Sequence, residues 1–455
     1  MENKKSVKDY GGLALLPLVL FLVMYVGCGV LFTIIGAPKG IRPFNMMPRY
    51  VPMMMAIIVA LVFYGRNEPF LDKVDVFSKG AGRPGVMQMS LIVLLSGGFA
   101  NACAAIGGKT SLVNLGISIM PSSMLIPGIF AISSIISTCI GTSMGTLSAM
   151  LPVAFALTDG AHLNPGMGAA ACIAGAYFGD NLSLISDTTI CATKGVGAEM
   201  KDKFRMNFAI ALPAALLTLA LYVFLNLGSS ADSITPGDYH ILDIIPYFFV
   251  LGTALAGVDV VLVLAGGIML ACVIGLGTGS TGFFPFWQQV SKGMEGMFWV
   301  AVFSGMTSGL VALVRYFGGV DWLVEKATRL IRSRKSCEYV IGFFSVLLSG
   351  TIVNNTVAIM IMAPIAKILG TRFGIAPKRM ASLLDIGACL AIMIIPHGMA
   401  VMMALDQFHV DYLEMMRYNF YPILLGLAVA ITIQFGLMQT KEEKERIKKE
   451  KMQNA

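Results

Sequence analysis

The sequence has little charge and no paired cysteine motif. Only 13% of its 455 residues are Asp, Glu, Lys or Arg, whereas 56% are hydrophobic. Eight cysteines are present, but no two of them have CxxC spacing, which argues against a zinc or dithiol redox motif. This composition excludes a soluble globular protein, and repeated apolar runs of about 20 residues indicate segments that cross a lipid bilayer.

The apolar runs also lack the alternation of polar and apolar residues that is typical of transmembrane β-strands. Helices are therefore the remaining way to satisfy the backbone in lipid, and the predicted fold class is an all-α polytopic membrane protein. The ten predicted spans are 12–35, 44–64, 84–107, 166–193, 207–228, 241–256, 259–277, 297–318, 380–404 and 417–437. Two longer stretches, 122–157 and 338–369, are interrupted by small and polar residues, and we interpret them as re-entrant hairpins.

The net charge of +7 does not form one basic surface. Lys and Arg cluster instead in a few predicted loops, chiefly 66–83, 194–205 and 326–335, and in the charged tail 438–455. Such clusters are typical of cytoplasmic loops. We therefore expect the apolar spans to lie in a lipid bilayer, and we expect no nucleic-acid partner. Both termini are then predicted to be cytoplasmic.

Short similarities recur in order along the chain, and the offset between them is nearly constant. Residues 106–108 resemble 317–319, and residues 150–152 resemble 362–364. The alternative is that membrane helices share a composition and mimic a repeat, but the matches are ordered and the loop charges agree with them.

The repeat predicts two halves, 1–228 and 241–437, each with five spans and one hairpin. An odd number of crossings gives the second half the opposite orientation. Inverted repeats with interrupted helices are typical of secondary transporters, whose binding site lies at the midplane between the halves.

The span 166–193 contains an unusual polar stretch. Ionisable groups at bilayer depth are costly and mark an ion or substrate path. The two acids of this stretch would be about 10 Å apart on a continuous helix, but unwinding of 181–186 would let them converge and free carbonyl groups for a cation. A polar face toward a water-filled vestibule is the alternative. The candidate residues are Asp180, Asn181, Ser183, Ser186, Asp187 and Thr188.

Each predicted hairpin is broken by residues with neutral oxygen atoms. Such oxygens suit a hard monovalent cation or a solute that carries a carboxylate. They also satisfy the backbone at a hairpin tip, and both roles can hold at once. The candidates are Thr142, Ser143 and Thr146 in the first hairpin, and Asn354, Asn355 and Thr356 in the second.

The span 380–404 contains a third polar set. Pro396 and Gly398 indicate a broken helix around His397. His397 is a candidate proton relay because its charge changes near neutral pH, and a purely structural histidine is the alternative. Asp385 is a weaker candidate, since we expect it near the cytoplasmic end of the span.

Residues 141–145 also fit the GxSxG pattern of serine hydrolases. That motif needs a strand, a turn and a helix, which this helical region does not supply. An intramembrane protease that pairs Ser143 with His397 is the enzymatic alternative, but it leaves the acids without a role. We therefore expect a protein that is not an enzyme.

The stretch from Gly179 to Thr189 resembles the signature of the NhaC family of Na+/H+ antiporters, which reads approximately GD, a spacer and SPLSDTT. Leu184 stands where the family has proline. The flanking spans and overall length are also similar to that family, which belongs to a larger ion-transporter superfamily with inverted repeats. The resemblance implies a bacterial-type plasma (inner) membrane, Na+ and H+ as coupling ions without another cofactor, and a homodimer. Some members of the family also move malate, lactate or amino acids.

These features together predict Na+/H+ exchange by alternating access, with Na+ and H+ competing for Asp180. Asp187 would be the second carboxylate ligand of Na+. The alternative is an ion-coupled carrier of a small organic solute, such as an amino acid or a carboxylate. A channel would need an open pore with a filter sequence, and nothing in the chain resembles one.

Overall fold

The computed structural model describes residues 9–38, 41, 43–119, 121–184, 186–227, 237–256, 258–329, 331–440 and 443. Ile185, most of the predicted loop between the halves and most of the charged tail 438–455 lie outside the described residues. The described part of the chain consists of twenty α-helices and three short 3-10 helices.

The helices follow one another with short connections. In chain order they are α1 (Leu16–Ile35), α2 (Tyr50–Phe63), α3 (Phe70–Ala81), α4 (Pro84–Ala105), α5 (Gly108–Ile119), α6 (Leu125–Ile140), α7 (Ser143–Gly160), α8 (Pro165–Leu182), α9 (Asp187–Val196), α10 (Met200–Asn226), α11 (Ile241–Leu255), α12 (Val260–Thr278), α13 (Phe283–Tyr316), α14 (Gly319–Arg329), α15 (Arg334–Ile352), α16 (Asn355–Phe373), α17 (Pro377–Ile394), α18 (Met399–Phe408), α19 (Tyr412–Met416) and α20 (Phe420–Phe435).

The chain is an all-helical integral membrane protein. Among the described residues, seven helical segments are long and apolar enough to cross a bilayer, and four shorter apolar helices accompany them. The predicted spans lie on helices of these two groups, except 166–193, which lies on the shorter helices α8 and α9.

Two short helices occupy stretches that the sequence analysis treated as loops. Residues 108–119 form α5, and the basic segment after residue 318 forms α14. The loop prediction was wrong here because neither segment is long enough to span a bilayer, so neither produces a long apolar run. Helix α14 is instead amphipathic, and Val320 and Leu323 bury its apolar side in the core.

Helix α13 is longer than predicted. The expected span 297–318 is the second part of a continuous helix of 34 residues, which at 1.5 Å per residue is about 51 Å long. The segment that the sequence repeat pairs with α13 is divided into α3 and α4 at Gly82 and Arg83. Proline at the start of α4 cannot donate a backbone hydrogen bond to α3, whereas the repeat pairs this proline with Gly296, which keeps its N–H.

Helix α10 begins at Met200, before the predicted span 207–228. This shift matters because it places Lys203 inside the helix bundle. The lysine was assigned to a cytoplasmic loop with three other basic residues, but it is 0% exposed. The assignment of Lys203 to a solvated loop was therefore wrong.

Four helix breaks lie in the middle of the bundle. The break between α6 and α7 is at Gly141–Thr142, and that between α15 and α16 is at Val353–Asn354. Helix α8 ends at Leu182 before α9 starts at Asp187, and α17 ends at Ile394 before α18 starts at Met399. Helix α6 packs on α8, and α15 packs on α17, so the breaks come together around one cavity.

Candidate functional site

The helix breaks enclose a cavity of about 460 Å³. Its wall contains most of the residues that the sequence analysis singled out. From the predicted set these are Thr142, Ser143, Asp180, Ser186, Asp187, Thr188, Asn354, Asn355, Thr356 and His397. Residues far apart in the chain are thus brought to one site, as the predicted breaks require.

The breaks between α6 and α7 and between α15 and α16 are built alike. Gly141 and Val353 have positive φ values of 76° and 54° and end α6 and α15 in the left-handed conformation. The next residue in each case caps the following helix. Thr142 Oγ1 accepts a hydrogen bond from Gly145 N at 3.5 Å, and Asn354 Oδ1 accepts one from Val357 N at 2.9 Å. These side chains therefore satisfy backbone N–H groups at the start of α7 and α16, and the same two residues line the cavity.

Asp180 lies at the end of α8, one turn before the break. Its side chain is buried, with 3% of the residue exposed, and the hydroxyl groups of Ser143 and Ser186 lie beside its carboxylate. Oδ1 has no hydrogen-bond partner among the described residues. A carboxylate at the carbonyl end of a helix is a poor site for another anion and a favourable one for a cation.

Asp187 and Thr188 start α9 on the far side of the same break. Thr188 Oγ1 lies 2.7 Å from Ser186 Oγ. Asp187 lines the cavity but is solvent-exposed, in contrast to Asp180. Both predicted carboxylates therefore line the same cavity, but that of Asp180 is buried and that of Asp187 is exposed.

Four predicted residues are not part of the described cavity wall. Thr146 donates to the carbonyl oxygen of Thr142 at 3.0 Å, a contact within its own helix. Asn181 Nδ2 donates to the hydroxyl of Tyr421 at 3.4 Å. Ser183 is buried in the break, where its N–H donates to the Asp180 carbonyl oxygen at 3.1 Å. Asp385, within α17, is 0% exposed.

Asp385 has a partner that sequence reasoning missed. Lys203 Nζ lies 2.7 Å from Asp385 Oδ2, 3.0 Å from the Asn181 carbonyl oxygen and 2.6 Å from Thr189 Oγ1. Asn207 Nδ2 donates to the same Asn181 oxygen at 2.9 Å and to Asp385 Oδ2 at 2.8 Å. The signal for Asn207 was present in the repeat, because Asn419 occupies the equivalent position of the second half.

One ring nitrogen of His397 is hydrogen-bonded, and the other has no partner in the described part of the chain. Nε2 lies 3.1 Å from the carbonyl oxygen of Gly350, to which it donates, and the ring packs edge-on against Phe21. Nδ1 has no hydrogen-bond partner among the described residues, although the side chain lines the cavity. The Gly350 contact is what a structural histidine makes.

Arg83 and Thr307 also line the cavity and were missed. Arg83 was assigned to a basic loop, but it is the residue before α4, and its guanidinium forms no hydrogen bond or ion pair with any described residue. Thr307 is 2% exposed, and its Oγ1 has no partner in the described chain. No sequence motif surrounds either residue.

The chain matches a family model described as the Na+/H+ antiporter family over residues 53–227 and 241–439. It is 20% identical over 426 residues to the Na+/H+ antiporter NhaC of Alkalihalophilus pseudofirmus, covering 86% of this chain and 90% of that protein. It is 29% identical over 188 residues to NhaC of Bacillus subtilis, covering 40% of each chain. It is also 28% identical over 149 residues to the malate-2H+/Na+-lactate antiporter of Bacillus subtilis, covering 32% of each chain.

Proposed function

Because the chain belongs to the Na+/H+ antiporter family, which makes it a secondary transporter and not an enzyme, we propose that it exchanges Na+ for H+ at Asp180. The observation that carries this proposal is the buried Asp180 carboxylate: the residue lines the central cavity, and its Oδ1 has no hydrogen-bond partner among the described residues.

Competition for one carboxylate accounts for the exchange. An uncompensated charge in a low-dielectric site is costly, so the Asp180 carboxylate needs either a proton or a cation. It cannot hold both at once. If the cavity opens to one side of the membrane at a time, release of Na+ on one side must be followed by uptake of H+ there, which couples the two gradients.

The surroundings of Asp180 supply the other oxygen ligands. We assign Na+ coordination to the Asp180 carboxylate and to the Ser143 and Ser186 hydroxyls beside it, since hard cations prefer oxygen ligands. Asp187 and Thr188 face the same cavity from the N-terminus of α9. In this proposal Asp187 attracts Na+ into the cavity and joins the coordination when the site closes.

Alternating access follows from the two inverted halves, 1–228 and 241–437. Equivalent contacts support this organisation. Ser137 Oγ donates to the Ala176 carbonyl oxygen, and Ser349 Oγ, at the equivalent position of the second half, donates to the Ala388 carbonyl oxygen. In the proposed arrangement both termini face the cytoplasm across a bacterial inner membrane, and two copies form a homodimer.

The test measures exchange in everted membrane vesicles with a pH-sensitive dye. Wild-type protein should collapse an imposed pH gradient when NaCl is added, and Asp180→Asn should not. Asp159→Asn is the matched control because Asp159 lies in α7, is paired with Lys109 and does not line the cavity. Sodium-dependent collapse of the gradient by a well-folded Asp180→Asn variant would exclude Asp180 as the shared site.

The cavity also favours a second candidate function, the ion-coupled transport of a small organic carboxylate. A volume of about 460 Å³ is far larger than a single Na+ requires, and the unpaired Arg83 on its wall suits a carboxylate. Asn354 and Asn355 add amide groups at the hairpin tip. Uptake of labelled malate, lactate and amino acids into proteoliposomes, with and without a Na+ gradient, separates the two functions. Sodium-dependent uptake would replace simple exchange as the activity.

A further inference from the structure

Lys203 is enclosed by oxygen atoms. Its ammonium contacts the Asp385 carboxylate at 2.7 Å, the Thr189 hydroxyl at 2.6 Å and the Asn181 carbonyl oxygen at 3.0 Å. A lysine ammonium has three N–H donors, so each has one oxygen partner. We call the ammonium and the three oxygen atoms that accept its hydrogen bonds the Lys203 cage. Neither Lys203 nor Asp385 belongs to the described cavity wall, so the cage lies behind the cavity.

The helix break builds this cage. The Asn181 carbonyl is available because α8 ends at Leu182, which leaves the last carbonyl groups of the helix without intrahelical partners. Thr189 Oγ1 donates to the Ser183 carbonyl oxygen at 2.8 Å, which leaves its lone pairs for Lys203. Asn207 fixes the geometry by donating to both the Asn181 oxygen and Asp385.

The residues that build the cage carry further oxygen atoms that the ammonium does not contact. Oδ1 of Asp385, on the carboxylate that binds Lys203, is buried without a hydrogen-bond partner in the described part of the chain, and so are the side-chain oxygens of Asn181 and Asn207. Buried acceptors without partners are costly. A metal cation, unlike an ammonium with three donors, can accept more than three oxygen ligands, and one carboxylate with neutral oxygens is a hard-cation ligand set.

We propose that this cage is a second cation site, in which the Lys203 ammonium stands in the place of an alkali cation. Lys203 thereby neutralises Asp385 and leaves Asp180 as the carboxylate available for exchange. Asp180 directly precedes Asn181, whose carbonyl oxygen contacts the Lys203 ammonium. The role of Asp180 rests on the proposed function, whereas the occupancy of the cage by Lys203 does not.

A purely structural ion pair is the competing explanation. Replacing both partners of a buried pair by apolar residues is often tolerated, and removing one partner is strongly destabilising. A structural pair predicts that loss of Lys203 only weakens the fold. A cation site predicts that Na+ takes over the position of the missing ammonium.

The experiment counts bound Na+ on the purified full chain by equilibrium binding of radioactive sodium. Lys203→Met should bind one Na+ more per chain than the wild type, and its melting temperature should rise more steeply with NaCl. Lys203→Gln, which keeps a hydrogen-bond donor in the cage, should behave in the same way. The double variant Lys203→Met with Asp385→Leu should return to the wild-type number, and Lys194→Met, an exposed lysine of α9, should not change it.

Two results would overturn the inference. One is a folded Lys203→Met chain that binds no additional Na+. The other is failure of both single variants to fold at any NaCl concentration, because sodium would then not replace the ammonium. Adding Asp180→Asn separates the two proposals: the additional Na+ of Lys203→Met should persist in it, whereas the Na+ bound by the wild type should be lost.

Discussion

Asn207 and Asn419, which are 212 residues apart in the chain, make the same hydrogen bond at the ends of two interrupted helices. Asn207 Nδ2 donates to the Asn181 carbonyl oxygen, and Asn419 Nδ2 donates to the Met393 carbonyl oxygen, each at 2.9 Å. Both acceptors lie at the end of a helix that is interrupted, α8 or α17. An amide side chain therefore stabilises each of these interrupted helices, although only the break between α8 and α9 is flanked by acidic residues, Asp180 and Asp187.

This asymmetry predicts different effects for two equivalent substitutions. Asn419→Ala should lower the free energy of unfolding by about 1–3 kcal/mol, because it leaves a buried carbonyl without its donor, and should preserve exchange. Asn207→Ala should lower the free energy of unfolding by a similar amount. It should also abolish exchange, because Asn207 donates a second hydrogen bond to the Asp385 carboxylate and so fixes the geometry of the Lys203 cage. Thermal unfolding in detergent and vesicle exchange measure the two effects. Equal loss of exchange in both variants would contradict the asymmetry.

Arg83 should oppose the entry of Na+ into the cavity. Its unpaired guanidinium shares the cavity wall with Asp180, and like charges repel. Arg83→Gln should therefore lower the apparent KM for Na+ by about twofold to fivefold. Removal of one like charge across a partly hydrated cavity, where the effective dielectric constant is high, is expected to change binding by this much. Arg66→Gln is the matched control, since Arg66 is exposed and outside the described cavity wall. If Arg83→Gln instead abolishes uptake of a carboxylate, Arg83 is a solute ligand.

His397 should act as a structural residue in the exchange reaction. Its Nε2 contact with the Gly350 carbonyl can be replaced by the amide of glutamine. We therefore expect His397→Gln to keep both the rate and the pH profile of exchange, whereas His397→Ala should destabilise the protein by about 1–3 kcal/mol. A shift of the pH optimum in His397→Gln would show that the imidazole carries protons.

Gly387 is a point where α17 approaches α15 closely. A Cβ atom at this position would lie 2.7 Å from the Gly342 carbonyl oxygen and 2.9 Å from Ser345 Cβ. Gly387→Ala should force the helices apart and destabilise the protein by about 1–3 kcal/mol, the cost typical of overpacking. Gly27→Ala is the control, because no atom lies within 4 Å of a Cβ built there. Equal melting temperatures for the two variants would contradict the close packing.

The helix breaks could be predicted because local sequence specifies them. Polar residues between Asn181 and Ser186 and the proline at 396 favour non-helical backbone, and the structure ends α8 and α17 beside them. Composition predicted the all-helical membrane class for a similar reason, since lipid imposes a strong constraint on every span. The resemblance to the NhaC family was confirmed by the family model and by the NhaC relatives.

Lys203 could not be predicted in the same way. It lies among other basic residues, so its local sequence is that of a solvated loop, and only the packing of α10 against α17 and the α8–α9 break buries it. Its partner Asp385 lies in the other half of the chain, and no periodicity links the two. Arg83 was missed for the same reason, because exposure to a cavity depends on the neighbouring helices and not on the residues beside it.

The division of residues 70–105 into α3 and α4 makes this segment less stiff than the continuous helix α13. A bend at Pro84 breaks no hydrogen bond across the joint, whereas a bend within α13 must break part of a helix 34 residues long. Arg83 lies at that joint and on the cavity wall. Rearrangements that widen or narrow the cavity at this point therefore require less energy from the joint between α3 and α4 than from the continuous helix α13.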